Sequence, residues 1–133
     1  MIDIFNEVYT LLYNDLASYD SSIDVSGVYK NVPPIYPCVS LEEIENSVYQ
    51  NGMDDMEIEN FANVEYEVNI YTQGATNKKS KADGIAERVD ALMSSIGLVR
   101  QTRNILQDAS ETTYRIVIRY AGVVSKDHTI YRR

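Results

Sequence analysis

The chain has 133 residues, 44% of them hydrophobic and 24% charged, with a net charge of −8; this is globular composition and excludes a disordered or fibrous chain. One hydrophobic core fits this length and a second does not, so a single domain over residues 1–133 is expected. No apolar run approaches the roughly 18 residues of a helical membrane span, and no membrane partner is expected.

In chain order, residues 3–19 (DIFNEVYTLLYNDLASY) place Ile4, Phe5, Val8, Leu12 and Leu16 on one stripe, with Leu11 beside it. That spacing predicts an amphipathic helix. Residues 27–41 read as two short extended pieces around Pro33–Pro34. Pro37 withholds one ladder donor and belongs at a sheet edge or a strand start. Residues 42–60 carry seven acids and no base, with a turn signal at Asn51–Gly52, and are expected to form a long loop or a projecting hairpin. Residues 64–72 alternate cleanly, with Val64, Tyr66, Val68 and Ile70 on one face and Glu65, Glu67 and Asn69 on the other, as in a half-buried strand.

A second helix is expected over 81–96, with Ser80 as its N-cap, Asp83 three residues on and Gly97 as the left-handed stop. Its stripe is Ile85, Val89, Leu92, Met93 and Ile96. Residues 98–106 and 113–124 read as a hairpin, its second strand alternating Tyr114, Ile116, Ile118 and Tyr120 with Arg115 and Arg119. The order α-β-β-β-α-β-β predicts an α+β domain, in which two helices cover one face of a four- or five-stranded, mostly antiparallel or mixed sheet. On the other face Glu65 and Glu67 would meet Arg115 and Arg119 if their strands are neighbours. The segment HTIYRR (128–133) has two readings, a strand added to a neighbour's sheet edge or a frayed extended tail.

Charge is unevenly placed. Residues 1–77 hold fourteen acids and one base, while residues 78–133 hold eleven bases and six acids. An acidic first half disfavours a DNA-binding surface there, and identical subunits could meet acidic patch to basic patch; the alternative is that folding mixes the halves and leaves no such patch. Motifs for chemistry are absent from the pattern. The stretch YTQGATNKKS (71–80) lies between strand and helix as a phosphate loop does, but it lacks the second glycine and is one residue short. His128 is the only histidine and Cys38 the only cysteine, which excludes the usual zinc sites and any intrachain disulfide. Asp54, Asp55, Glu57 and Glu59 do not have the spacing of a calcium loop. No metal, cofactor or catalytic constellation is expected, and a cytoplasmic setting follows from the single thiol and an N-terminus without a secretion signal. Eleven tyrosines stand against two phenylalanines, which suits interface cores and strands equally.

Together, PPIYPCVSLEE (33–43), ANVEYEVNIYTQGATNKKSKADGIAERVDALM (62–93) and GLVRQ with YRIVIRYAGVV (97–124) resemble the tail terminator, or tail-completion, proteins of tailed bacteriophages. The resemblance implies a non-enzymatic virion protein, assembled in the bacterial cytoplasm as a homohexameric ring. That ring would cap the tail tube, end its polymerisation and meet the neck or stopper protein, and in contractile tails the sheath. Genomic DNA would pass through the lumen unread. On this resemblance Glu42, Glu43, Glu45, Asp54, Asp55, Glu57 and Glu59 are expected to line the lumen or engage the adjacent ring. Lys78, Lys79 and Lys81 are expected to face an acidic patch of a neighbour, with Arg115 and Arg119 as further interface candidates. Another neck component, a stopper or adaptor, remains an alternative, and a small nuclease or phosphate-handling enzyme a remoter one.

Overall fold

The computed structural model describes residues 1–28, 35–48, 61–74, 77–107 and 113–131. Their elements are α1 (Phe5–Tyr19), β1 (Asp24–Ser26), β2 (Cys38–Val48), β3 (Phe61–Gln73), α2 (Lys78–Ser95), β4 (Val99–Gln107), β5 (Thr113–Ser125) and β6 (Ile130–Tyr131). The fold is α+β, as the patterning predicts. The strands form one mixed sheet in the order β1-β2-β3-β5-β4, with β6 also paired to β5. β1 is parallel to β2, and every other pairing is antiparallel.

Both helices lie against one face of this sheet. α1 buries Val8, Leu12 and Leu16, each contributing about 1.5–3 kcal/mol of apolar transfer. Leu11 is left exposed, at the margin of the stripe. α2 buries Ala82, Ile85, Ala86, Val89 and Met93. Between helices and sheet, Val64, Tyr66, Val68 and Ile70 of β3 and Ile116, Ile118 and Tyr120 of β5 are almost wholly buried. The two helices are also tied directly. Arg88 donates from Nε and Nη2 to the two carboxylate oxygens of Asp15, at 3.1 and 3.0 Å, a planar fork that lysine could not reproduce.

Three expectations need correction. Of the two forms expected for residues 42–60, the loop does not hold for 42–48: they are the second half of β2 and pair antiparallel with β3 as in a hairpin, Glu42 with Glu67, Glu45 with Glu65 and Val48 with Ala62. The glutamates have poor strand propensity, but pairing along a thirteen-residue partner outweighs it. The rest of the acidic stretch, including the turn signal at Asn51–Gly52, lies outside the described residues. The second helix begins at Lys78, three residues earlier than expected, because the Asn77 carbonyl already accepts from Lys81 N at 3.1 Å. Ser80 is thus inside the first turn and caps nothing, and Asp83 pairs with Arg103 instead. Finally, Ile130 and Tyr131 pair with Val124 and Val123 of their own β5, so this part of HTIYRR neither frays nor leaves for a neighbour.

Pro37 stands directly before β2, at a strand start as expected, and follows a cis peptide bond. Gly97 ends α2 with φ at 104°, where a side chain would be strained. A Cβ there would also stand 3.0 Å from the Ile130 carbonyl oxygen, so the helix stop and β6 share one close contact.

Candidate interaction surface on the helix-free face of the sheet

Side chains alternate across a strand, so fixing one residue's face fixes its ladder partners. With Val64, Tyr66, Val68 and Ile70 turned to the helices, Glu65, Glu67, Asn69 and Tyr71 turn away. The ladders then define rows across the helix-free face: Glu45, Glu65, Ala121 and Val99; Glu42, Glu67, Arg119 and Thr102; Ser40, Asn69, Val117 and Asn104; and Cys38, Tyr71, Arg115 and Leu106. Two glutamate pairs therefore stand directly opposite each other between β2 and β3. Like charges in that position oppose folding.

Compensation comes from β5. Arg119 reaches Glu67 with Nε and Nη2, both 3.2 Å from Oε2. Asn69 donates to the other oxygen, Oε1, at 3.1 Å, and accepts from Arg115 Nε at 3.1 Å and Nη2 at 2.7 Å. Arg115 also lies over the Tyr71 ring, 5.2 Å from its centroid. The expected charge ladder is thus half right. Arg119 pairs with Glu67, but Arg115 sits opposite Tyr71 and binds an amide, while Glu65 sits opposite Ala121. Among the described residues no cation pairs with Glu42, Glu45 or Glu65. Toward β4 the face sinks into a shallow depression of about 370 Å³ lined by Glu67, Thr102, Asn104, Leu106, Arg115 and Arg119.

Other expected site residues lie elsewhere. Glu43 points to the helix side, where it accepts from the Tyr66 hydroxyl and from Asn46 Nδ2, each at 3.4 Å. Burial, and then the nearby Asp3 carboxylate, push the Glu43 carboxyl above its ordinary range. Asn46 Nδ2 also donates to the Ile2 carbonyl at 2.8 Å, so Glu43 belongs to the seam that seats the start of α1. Lys78, Lys79 and Lys81 form the first turn of α2, where positive charge opposes the helix dipole. Asp54, Asp55, Glu57 and Glu59 lie outside the described residues.

A second concavity, of about 360 Å³, runs between α2 and β4. Its walls are held by ion pairs from Arg100 to Asp90 at 3.2 Å and from Arg103 to Asp83 at 3.0 Å. Tyr120 donates to Asp90 at 3.0 Å beneath them; burial and then the Asp90 charge raise its phenol well above the ordinary range. Arg100 and Arg103 escaped the sequence reading: three apart, they share a face of β4 only because its register shifts between Arg100 and Thr102. Among the described residues no cluster of His, Cys, Asp and Glu is arranged to hold a metal, and no helix is long and apolar enough to cross a membrane. Cys38 is buried, and His128 Nδ1 lies 2.5 Å from Glu7 Oε1 at the surface. A search of known protein families gives no match to this chain, and a search of curated proteins gives none either.

Proposed function

We propose that the protein is a structural subunit of a bacteriophage tail-terminator type, assembling into a ring that caps the tail tube and joins it to the neck. One observation carries this reading: the helix-free face of the sheet presents Glu42, Glu45 and Glu65 without cationic partners among the described residues, beside a fixed Arg119–Glu67 pair. Such a face suits the lining of a passage for DNA, because carboxylates repel phosphates and leave the duplex free to slide. The resemblance of the sequence to tail terminators supplies the ring and its tube partner. Arg100 and Arg103, which line the concavity between α2 and β4, are engaged with Asp90 and Asp83, which supports a built scaffold in preference to a phosphate-handling site.

Negative-stain microscopy of the purified protein, alone and mixed with tube protein, tests the reading. Rings with a central hole that seat on tube ends and stop tube growth are expected. A protein that leaves tube length unchanged and binds only head-side components would make it a stopper or adaptor and overturn termination.

A further inference from the structure

A closed turn joins β5 to β6. His128 N donates to the Ser125 carbonyl and Ser125 N to the Thr129 carbonyl, each at 2.9 Å. Asp127 Oδ1 accepts from the Ser125 hydroxyl and from Thr129 N, and these bonds, the Ser125 one foremost, hold its carboxyl below the ordinary range. His128 takes a φ of 65°, a left-handed conformation uncommon outside glycine. With its backbone fixed in this way, the ring reaches the first turn of α1, where Nδ1 lies 2.5 Å from Glu7 Oε1. Glu7 belongs to an acidic corner. Asp3 accepts from Phe5 N at 3.0 Å, and Glu43 accepts from the Tyr66 hydroxyl. Burial, and then the charges of Glu43, Asp3 and Glu7, hold the Tyr66 phenol far above its ordinary range, so all three carboxylates surround that hydroxyl. Among the described residues no lysine or arginine pairs with any of the three. His128 is the base that meets this corner, with Lys126 and Asp127 beside it in its own turn.

We propose that the proton on His128 controls how firmly the β5–β6 turn is held against the first turn of α1. With the proton in place, the imidazolium donates from Nδ1 to the Glu7 carboxylate, a charge-assisted bond, and brings positive charge to the acidic corner. Without it, the ring keeps the bond only in the tautomer that carries hydrogen on Nδ1; in the other tautomer two acceptors face each other. Histidine is the side chain that ordinarily changes charge between pH 5 and 8. The tie is therefore complete on the acidic side of neutrality and weakens as pH rises. Its reach extends beyond one pair. Ile130, two residues past His128, stands against Gly97 and Gly122 and packs on the core. The turn thus connects the start of α1 to the stop of α2.

A double-variant cycle at two pH values tests this. His128→Asn removes the ring and suits the left-handed backbone, and Glu7→Gln removes the charge. Their side chains are 40% and 55% exposed, and circular dichroism checks that each variant folds. Urea unfolding of wild type, the two single variants and the double variant is measured at about pH 5.5 and about pH 8.5, toward the two ends of the histidine range. The expected coupling in the unfolding equilibrium constant is about 1.5- to 5-fold at the lower pH, the range of an exposed ion pair, and falls towards unity at the higher. Asp3, Glu43 and Asp127 are present in all four proteins, so their own titration cancels from the cycle. A coupling equal at both pH values would make the contact an ordinary hydrogen bond, and no coupling at either would mean that it contributes nothing. Either result overturns the proposal.

Discussion

Arg119 places both Nε and Nη2 3.2 Å from one oxygen of Glu67, directly across the β3–β5 ladder. Glu67 keeps its second oxygen for Asn69, and its own opposite neighbour on β2 is another acid, Glu42. Arg119 is therefore the cation that relieves a row of two carboxylates.

Removing that cation should expose the repulsion. Arg119→Ala is expected to destabilise the fold by about 0.5–1 kcal/mol, a modest figure because the pair is partly solvated. Glu67→Gln in the same background should restore most of the loss, since the amide keeps a partner for Asn69 and removes the charge facing Glu42. Urea denaturation of the two single variants and the double variant measures this coupling. Additive losses would show that the pair contributes nothing.

Glu43 gives a pH signature. Its carboxyl titrates above the ordinary value of 4.5 in the folded protein because it is partly buried and faces Asp3. The folded state therefore binds this proton more tightly than the unfolded chain does. The contribution to stability is complete below the unfolded value and is lost as pH rises through the folded one. Glu43→Gln, which can still accept from Tyr66, should be more stable than wild type at pH 7, with the difference closing as pH falls toward 4.5. Melting temperatures of both proteins across that range decide it.

Two glycines should respond with opposite signs. At Gly97 alanine meets a φ of 104° and the fixed Ile130 carbonyl, and a loss of at least about 1–2 kcal/mol is expected. At Gly84, inside α2, the contact is the hydroxyl tip of the exposed Tyr19 ring, which can swing aside. Helix propensity then favours alanine by up to about 1 kcal/mol. Chemical denaturation of both variants reads the sign directly.

Tyr120→Phe should cost about 1 kcal/mol, because the hydroxyl donates to Asp90 from a buried ring. Asp90 keeps Arg100 as a partner, so the loss should stay well short of that for a stranded buried charge. An unfolding midpoint equal to wild type would mean that the Arg100 pair carries Asp90 unaided.

Elements with strong periodicity were legible in the sequence. Val8, Leu12 and Leu16 repeat with the helix turn, and Val64, Tyr66, Val68 and Ile70 alternate with the strand pleat; both sets are buried. The acidic half of β2 was legible only as one of two forms, loop or hairpin, since a run of glutamates becomes a strand only when β3 lies beside it. The start of α2 was misplaced because Ser80 and Asp83 form a plausible local cap, while the structure commits Asp83 to Arg103, twenty residues on. The helix-free face was anticipated in composition but not in register. Asn69, placed by alternation on a wet face, is fully buried, and its amide joins Arg115 to Glu67. Which arginine meets which glutamate depends on a ladder offset that no local pattern encodes.

The short strand β6 has a consequence for how the domain opens. β4 ends its pairing with β5 at Ala121, and β6 takes up Val123 and Val124 on that same side. With β3 along the whole opposite side, β5 is flanked for nearly its full length. Its amides, and those of β3, should exchange with deuterium only when the entire domain unfolds. Among the described residues no strand covers the outer amides of β4 or of the second half of β2, and these should exchange by local fraying. Slow-exchanging centre and fast-exchanging rims make β6 a latch on β5, the neighbour of the sheet's central strand.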